Sequence, residues 1–192
     1  YPFIDPGRIA ALGFSAGGYT ALAVAGARVD VAALQGFCDD GQDHGMSDCA
    51  FLARGGVALH AMDLSPAGQD LRDPRIRTAV VVDPGIVETL TPDSLSQIDR
   101  PLLVINLGDE NKVPKGVYAR PAAEKIPGAT YRIVPAASHF SFLAQCKPKG
   151  AMILEREGEP DRLCDDAGGR SRAEIHADLT DFIVDYFRTV EW

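Results

Sequence analysis

Arg8-Ile9-Ala10-Ala11-Leu12-Gly13-Phe14-Ser15-Ala16-Gly17-Gly18 joins a short apolar run to a stretch of small helix formers. Arg8 to Phe14 reads as a buried strand. Gly17 to about Ala27, rich in Ala and Leu, reads as a helix with little side-chain bulk, able to pack close to a sheet. The same alternation continues downstream. Val29 to Leu34, Arg77 to Val82, Pro101 to Asn106 and Thr130 to Val134 read as further strands, the third ending at Asp83-Pro84-Gly85 and the fourth at Gly108. Helices are expected at Ala50–Met62, near Tyr118–Ile126 and at about Ser171–Thr189. In the last of these Ile175, Leu179, Phe182, Ile183 and Phe187 form one apolar stripe. The pattern predicts an α/β fold, a mostly parallel sheet with helices on both faces, built as one domain over residues 1–192.

Composition narrows the function. With 46% hydrophobic residues the 192-residue chain can bury a real core. Its formal charge of −8 and scattered Lys and Arg exclude a basic face for nucleic acid or an anionic membrane surface. No apolar run approaches the roughly 20 residues of a transmembrane helix.

Cys38 and Cys49 bracket one polar loop and Cys146 and Cys164 another. Neither spacing is the short C-x2-C of a zinc site, although His44 and several Asp lie close by. Two local disulfides, Cys38–Cys49 and Cys146–Cys164, are the economical pairing, each worth roughly 2–4 kcal/mol to a loop without a core. They imply an oxidising compartment, periplasmic or secreted; the alternative is four reduced thiols.

Gly13-Phe14-Ser15-Ala16-Gly17 matches G-x-S-x-G between a strand and a helix, where the serine stands on a sharp turn with its oxygen above the sheet. The helix N-terminus favours an oxyanion there, and the Ala16 N–H is one donor to it. A serine hydroxyl needs a base within hydrogen-bond reach. Of four histidines, His44 lies in the first cysteine loop, and His60 and His176 fall in expected helices. His139, in Pro135-Ala136-Ala137-Ser138-His139-Phe140 after the last strand, sits at the C-terminal edge of the sheet, where open α/β sheets place their sites. It is the expected base. Phe140 and Phe142 are candidates for an acyl pocket or for core packing.

Asp5-Pro6-Gly7-Arg8-Ile9-Ala10 running into Gly-Phe-Ser-Ala-Gly-Gly, with Ser-His-Phe-Ser-Phe-Leu ahead of a cysteine, resembles the predicted dienelactone hydrolases of bacteria. These are relatives of the platelet-activating-factor acetylhydrolases in the α/β-hydrolase superfamily. The resemblance runs through essentially the whole chain. It implies a serine esterase that cleaves small-molecule carboxylic esters through an acyl-serine, without metal or cofactor. The hydrolase order places the acid between Ser15 and His139. Asp83, after Arg77–Val82, resembles the acid-bearing segment of the acetylhydrolases. A second pattern, framed by Pro101 and Pro114, falls on Glu110 with Asp109 beside it. Serine peptidase or acyltransferase chemistry uses the same residues, and an inactive binding module is the reading from another class.

In the α/β-hydrolase fold several strands precede the nucleophile strand, and a loop among them provides a second oxyanion donor. Residues 1–192 are therefore expected to be the C-terminal catalytic portion of such a domain, with the N-terminal strands absent. A second polypeptide is expected to supply the preceding half of the sheet, as one product of a cleaved precursor.

Overall fold

A computed structural model of the chain describes residues 2–39, 44–159, 161–166 and 169–192. Four strands, β1 (Ile9–Phe14), β2 (Ile76–Val82), β3 (Leu102–Leu107) and β4 (Ala129–Val134), form an all-parallel sheet in the order β1-β2-β3-β4. The fold is of the α/β class. The two central strands carry unbroken aliphatic runs, Ala79–Val82 and Leu102–Ile105, because both their faces are covered there. Ala79, Val81, Leu102 and Val104 point one way, onto α1 (Ala16–Ala25). Val80, Val82, Leu103 and Ile105 point the other way, onto α7 (Arg172–Thr189), which buries Ile175 and Leu179. The Ala-rich face of α1 brings its axis close to the sheet. Its short side chains leave room for a turn of only one residue between strand and helix.

The helix α7 starts where its sequence says it should. Ser171 Oγ accepts from the Glu174 N–H, and the Glu174 carboxylate accepts from the Ser171 N–H at 2.8 Å, a reciprocal cap. Between the strands lie α2 (Val31–Gly36), α3 (Asp48–Arg54), α4 (Pro92–Ser96) and α5 (Arg120–Ala123), and α6 (Gly150–Arg156) follows β4.

Three expectations are corrected. Val29–Leu34 is not a strand: Val29 makes a single antiparallel bridge to Leu90, and the chain then enters α2. The Asp30 carboxylate accepts from the Ala33 N–H at 3.0 Å and starts the helix, and Ala32-Ala33-Leu34-Gln35 favours it over extended chain. The sheet accordingly has four strands where five are expected from the apolar runs. The helix expected at Ala50–Met62 stops at Arg54, because Gly55-Gly56 ends it and Gly56 takes a positive φ of 69°. Only a 3-10 turn at Leu59–Ala61 follows. In the 118–126 stretch α5 is a single turn, since Pro121 opens it and Pro127-Gly128 follows closely.

Both disulfides expected from the spacing are present, Cys38–Cys49 and Cys146–Cys164. Among the described residues no helix is long and apolar enough to cross a membrane. At the open edge of the sheet, β1 is only half covered. Leu12 shares the α7 face with its register partner Val80 but remains 49% exposed, whereas Val80 is fully buried.

Non-reducing peptide mapping is expected to recover the 38–49 and 146–164 pairs and no free thiol; a crossed pairing would contradict the loop assignments. Ile105→Ala, in a fully buried strand, is expected to lose about 2–5 kcal/mol in urea denaturation.

Candidate active site

The C-terminal ends of the strands meet at one edge of the sheet, and three side chains from separate connections converge there. Ser15 is the single residue between β1 and α1, at φ 53° and ψ −124°. A non-glycine residue at positive φ is strained by about 1–3 kcal/mol and persists only where its surroundings hold it. Here the Ser15 N–H donates to Val82 O at 3.0 Å, and Ser15 O accepts from the N–H groups of Gly85 and Tyr19, both at 3.0 Å.

The glycines around the serine do unequal work. A Cβ on Gly13 would stand 1.9 Å from Gly17 O, so the penultimate residue of β1 must be glycine for the helix to double back over it. A Cβ on Gly18 would crowd Val82 O and Pro84 Cα at 3.1 Å, while one on Gly17 would meet nothing. The last glycine of G-x-S-x-G is therefore not required by space, and the one after it is. Ala16 opens α1, so its N–H lies in the first turn, where no intrahelical acceptor exists. A Cβ on Gly85 would reach within 3.5 Å of Ala16 N and 3.7 Å of Ser15 Oγ. Gly85 thus keeps clear the space between the hydroxyl and that N–H.

His139 opens a 3-10 turn, His139–Phe142, beyond β4. Its Nε2 lies 3.1 Å from Ser15 Oγ and its Nδ1 lies 3.0 Å from Asp83 Oδ2. The ring is 6% exposed, with Phe14 against one face at 4.6 Å and Phe140 edge-on at 5.2 Å. Phe142 stacks on Phe14 at 4.5 Å. Phe142 is thus a packing residue, while Phe140 lines a cavity of about 240 Å³ with His139, Met46 and Arg162.

Asp83 follows β2 and is fully buried. Its Oδ1 accepts from the Leu107 N–H at 2.9 Å and from Asn106 Nδ2 at 2.7 Å. With Oδ1 occupied by two donors, Oδ2 is left for the Nδ1–H of His139. That tautomer leaves the Nε2 lone pair facing the serine hydroxyl.

Asn106 is the residue that sequence reasoning passed over. Read as the end of an apolar strand, it is in fact the hub behind the acid. Its Nδ2 also donates to Val117 O at 2.7 Å, and its Oδ1 accepts from the Ala119 N–H at 2.9 Å and from Tyr131 Oη–H at 3.0 Å. All four of its hydrogen-bonding capacities are used inside the protein. Burial, against the opposing pull of Arg120, pushes the Tyr131 phenol up to about 12, so it serves Asn106 as a donor throughout the neutral range. The one available signal is compositional: an Asn closing an otherwise aliphatic strand needs polar partners.

The other candidates lie elsewhere. Glu110 is half-exposed, ion-paired with Arg120 and contacted by Tyr118 Oη at 3.2 Å. Asp109 pairs with Lys112 at 2.8 Å, which holds its carboxyl below the usual range, and accepts from the Ala136 N–H. Neither is bonded to His139. His44 is buried, stacked on Phe37, with Nδ1 2.6 Å from Glu88 Oε1. His60 lies exposed beside Asp39, and His176 Nε2 is hydrogen-bonded to Ser141 O at 2.9 Å. Among the described residues no cluster of His, Cys, Asp and Glu is arranged to hold a metal ion.

No family model, curated protein or solved structure matches the chain.

Asn106→Ala would strand Asp83 Oδ1, Val117 O and the Ala119 N–H, each short of a partner at about 1–3 kcal/mol. Urea denaturation is expected to show a loss of about 3 kcal/mol or more, against about 1 kcal/mol for Tyr131→Phe, which removes one donor. Equal losses would contradict the hub.

Proposed function

We propose that the protein is a serine hydrolase of the α/β-hydrolase type that cleaves small-molecule carboxylic esters, with Ser15 as nucleophile, His139 as base and Asp83 as its partner. The observation that carries this is the continuous line from Ser15 Oγ to His139 to Asp83, 3.1 and 3.0 Å long, with the serine at φ 53° before a helix N-terminus. A serine in this backbone state serves no packing purpose, and strain of this kind concentrates at functional sites.

The chemistry follows from the contacts. As Ser15 Oγ bonds to the ester carbonyl carbon, His139 Nε2 takes the hydroxyl proton and the imidazolium is stabilised by Asp83. Negative charge on the former carbonyl oxygen develops beside the Ala16 N–H and the positive end of α1. The imidazolium passes its proton to the leaving alcohol oxygen as the C–O bond breaks, leaving an acyl-serine. A water molecule, deprotonated by His139, then releases the acid and restores Ser15. Every proton is exchanged between Ser15, His139, water and substrate.

The two disulfides support a periplasmic or secreted location. The uncovered edge of β1 supports a partner for the sheet: its outer backbone groups and the exposed Leu12 are suited to pairing with a further strand and covering its apolar face. A further strand at that edge would also bring the second oxyanion donor close to Ser15.

Ser15→Ala is expected to lower turnover of a p-nitrophenyl ester by about 10⁶-fold and to abolish fluorophosphonate labelling. Asp83→Asn should cost about 10⁴-fold, the scale seen when a serine-protease acid is neutralised. Glu110→Gln and Asp109→Asn should leave turnover near wild type. Labelling of Ser15→Ala, or a crippled Glu110→Gln, would refute the assignment.

A further inference from the structure

The turn that carries His139 is held by buried polar side chains that the proposed reaction does not use. Ser141 is fully buried; its Oγ accepts from the Ser138 N–H at 3.0 Å and donates to Asp166 Oδ1 at 2.8 Å. That same oxygen accepts from Arg172 Nε at 2.8 Å. Arg172 is 5% exposed, on the first turn of α7. Its Nη1 donates to Ala144 O at 3.1 Å and its Nη2 to Leu163 O at 2.9 Å. Ser138 Oγ donates to Asp165 O at 2.8 Å, tying the residue before His139 to the same lobe.

We propose that Arg172 is the positioning residue for His139, acting through Asp166 and Ser141. The proposal rests on the reading of Ser15, Asp83 and His139 as a hydrolytic site. Ser15 and Asp83 are fixed by the ends of β1 and β2, but the imidazole that must span them rides on an irregular turn. Hydrogen bonds at both of its nitrogens weaken steeply with misalignment, and a displacement of about 1 Å costs about 10²-fold in rate. The Cys146–Cys164 bridge joins segments next to those that receive the Arg172 bonds. The bridge holds these two segments to each other; the Arg172–Asp166–Ser141 line, beside the single Ser138–Asp165 bond, holds them to the turn of His139. A buried ion pair is weak evidence for stability, since apolar replacements of like volume are often neutral. A planar fork that makes three separate directed bonds fixes geometry instead.

The contacts identify a conservative variant. Both Ser141 and Arg172 use Oδ1 of Asp166, so an Asn there keeps both bonds and an Ala loses both. In the full chain, Arg172→Met and Asp166→Ala are expected to lower kcat for p-nitrophenyl acetate by about 10- to 100-fold. KM should change by less than about threefold, and Asp166→Asn should stay near wild type. The downfield proton resonance of the His139–Asp83 hydrogen bond should broaden or shift in the first two variants and persist in the third. Folded Arg172→Met with wild-type kcat and an unchanged resonance would overturn the proposal. If Arg172→Met does not fold, the Asp166 pair decides, and equal kcat and resonance in Asp166→Ala and Asp166→Asn would overturn it. A wild-type chain that shows the resonance but turns over no ester would refute the hydrolase reading, and the resonance comparison alone would then decide the role of Arg172.

Discussion

The Ser15 N–H donates to Val82 O, and the Gly85 N–H returns a bond to Ser15 O. This exchange ties the turn after β1 to the turn after β2, so the serine and Asp83 belong to one rigid piece. Much else follows from it. The chain must leave Ser15 at a positive φ, α1 must fold back over Gly13 within van der Waals range, and Gly18 must stay bare against Val82 and Pro84. The strain of the turn is offset by the two-sided burial of β2 and β3, whose aliphatic side chains leave the strands no freedom to relax.

The third member of the site is supported in another way. His139 belongs to no strand or long helix; its place is set by polar bonds from α7 and from the disulfide-bonded lobe. The site thus combines a backbone-fixed half with a side-chain-fixed half. The backbone half depends on its glycines and on Asn106 behind the acid. The other half depends on the identity of a few buried polar residues, Ser138, Ser141, Asp166 and Arg172, each of which has specific partners.

Legibility in the sequence divides along the same line. The strands β2 and β3 are visible because both-sided burial writes itself as aliphatic runs, β1 and β4 show as short apolar stretches, and Ser15 and His139 stand out against the elements that precede them. Val29–Leu34 misleads because two valines near an Ala–Leu run imitate a strand, while the capping Asp30 that decides the matter is one residue among many acids. Asn106, Ser141 and Arg172 leave almost no mark. Each is a common residue in an unremarkable place, and its importance comes from partners 11 to 31 residues away in sequence, Val117 for Asn106 and Ser141 itself, through Asp166, for Arg172. Placing Asp83 rather than Glu110 beside His139 likewise needs three dimensions: both follow strands, but Asp83 is bonded to the imidazole and backed by Asn106 and Leu107, while Glu110 pairs with Arg120.

The strands join the sheet in the order in which they are synthesised, each beside the one before it, and α7 comes after all four. One face of the nascent sheet finds its cover early, since α1 directly follows β1. The opposite face, with Val80, Val82, Leu103 and Ile105, waits for Ile175 and Leu179. During elongation the chain therefore passes through a stage with half its core closed and half open to water, the state in which unfinished α/β domains recruit chaperones or aggregate. The helix that carries Arg172 also ends that exposure, so the maturation of the core and the seating of His139 are completed by the same docking event.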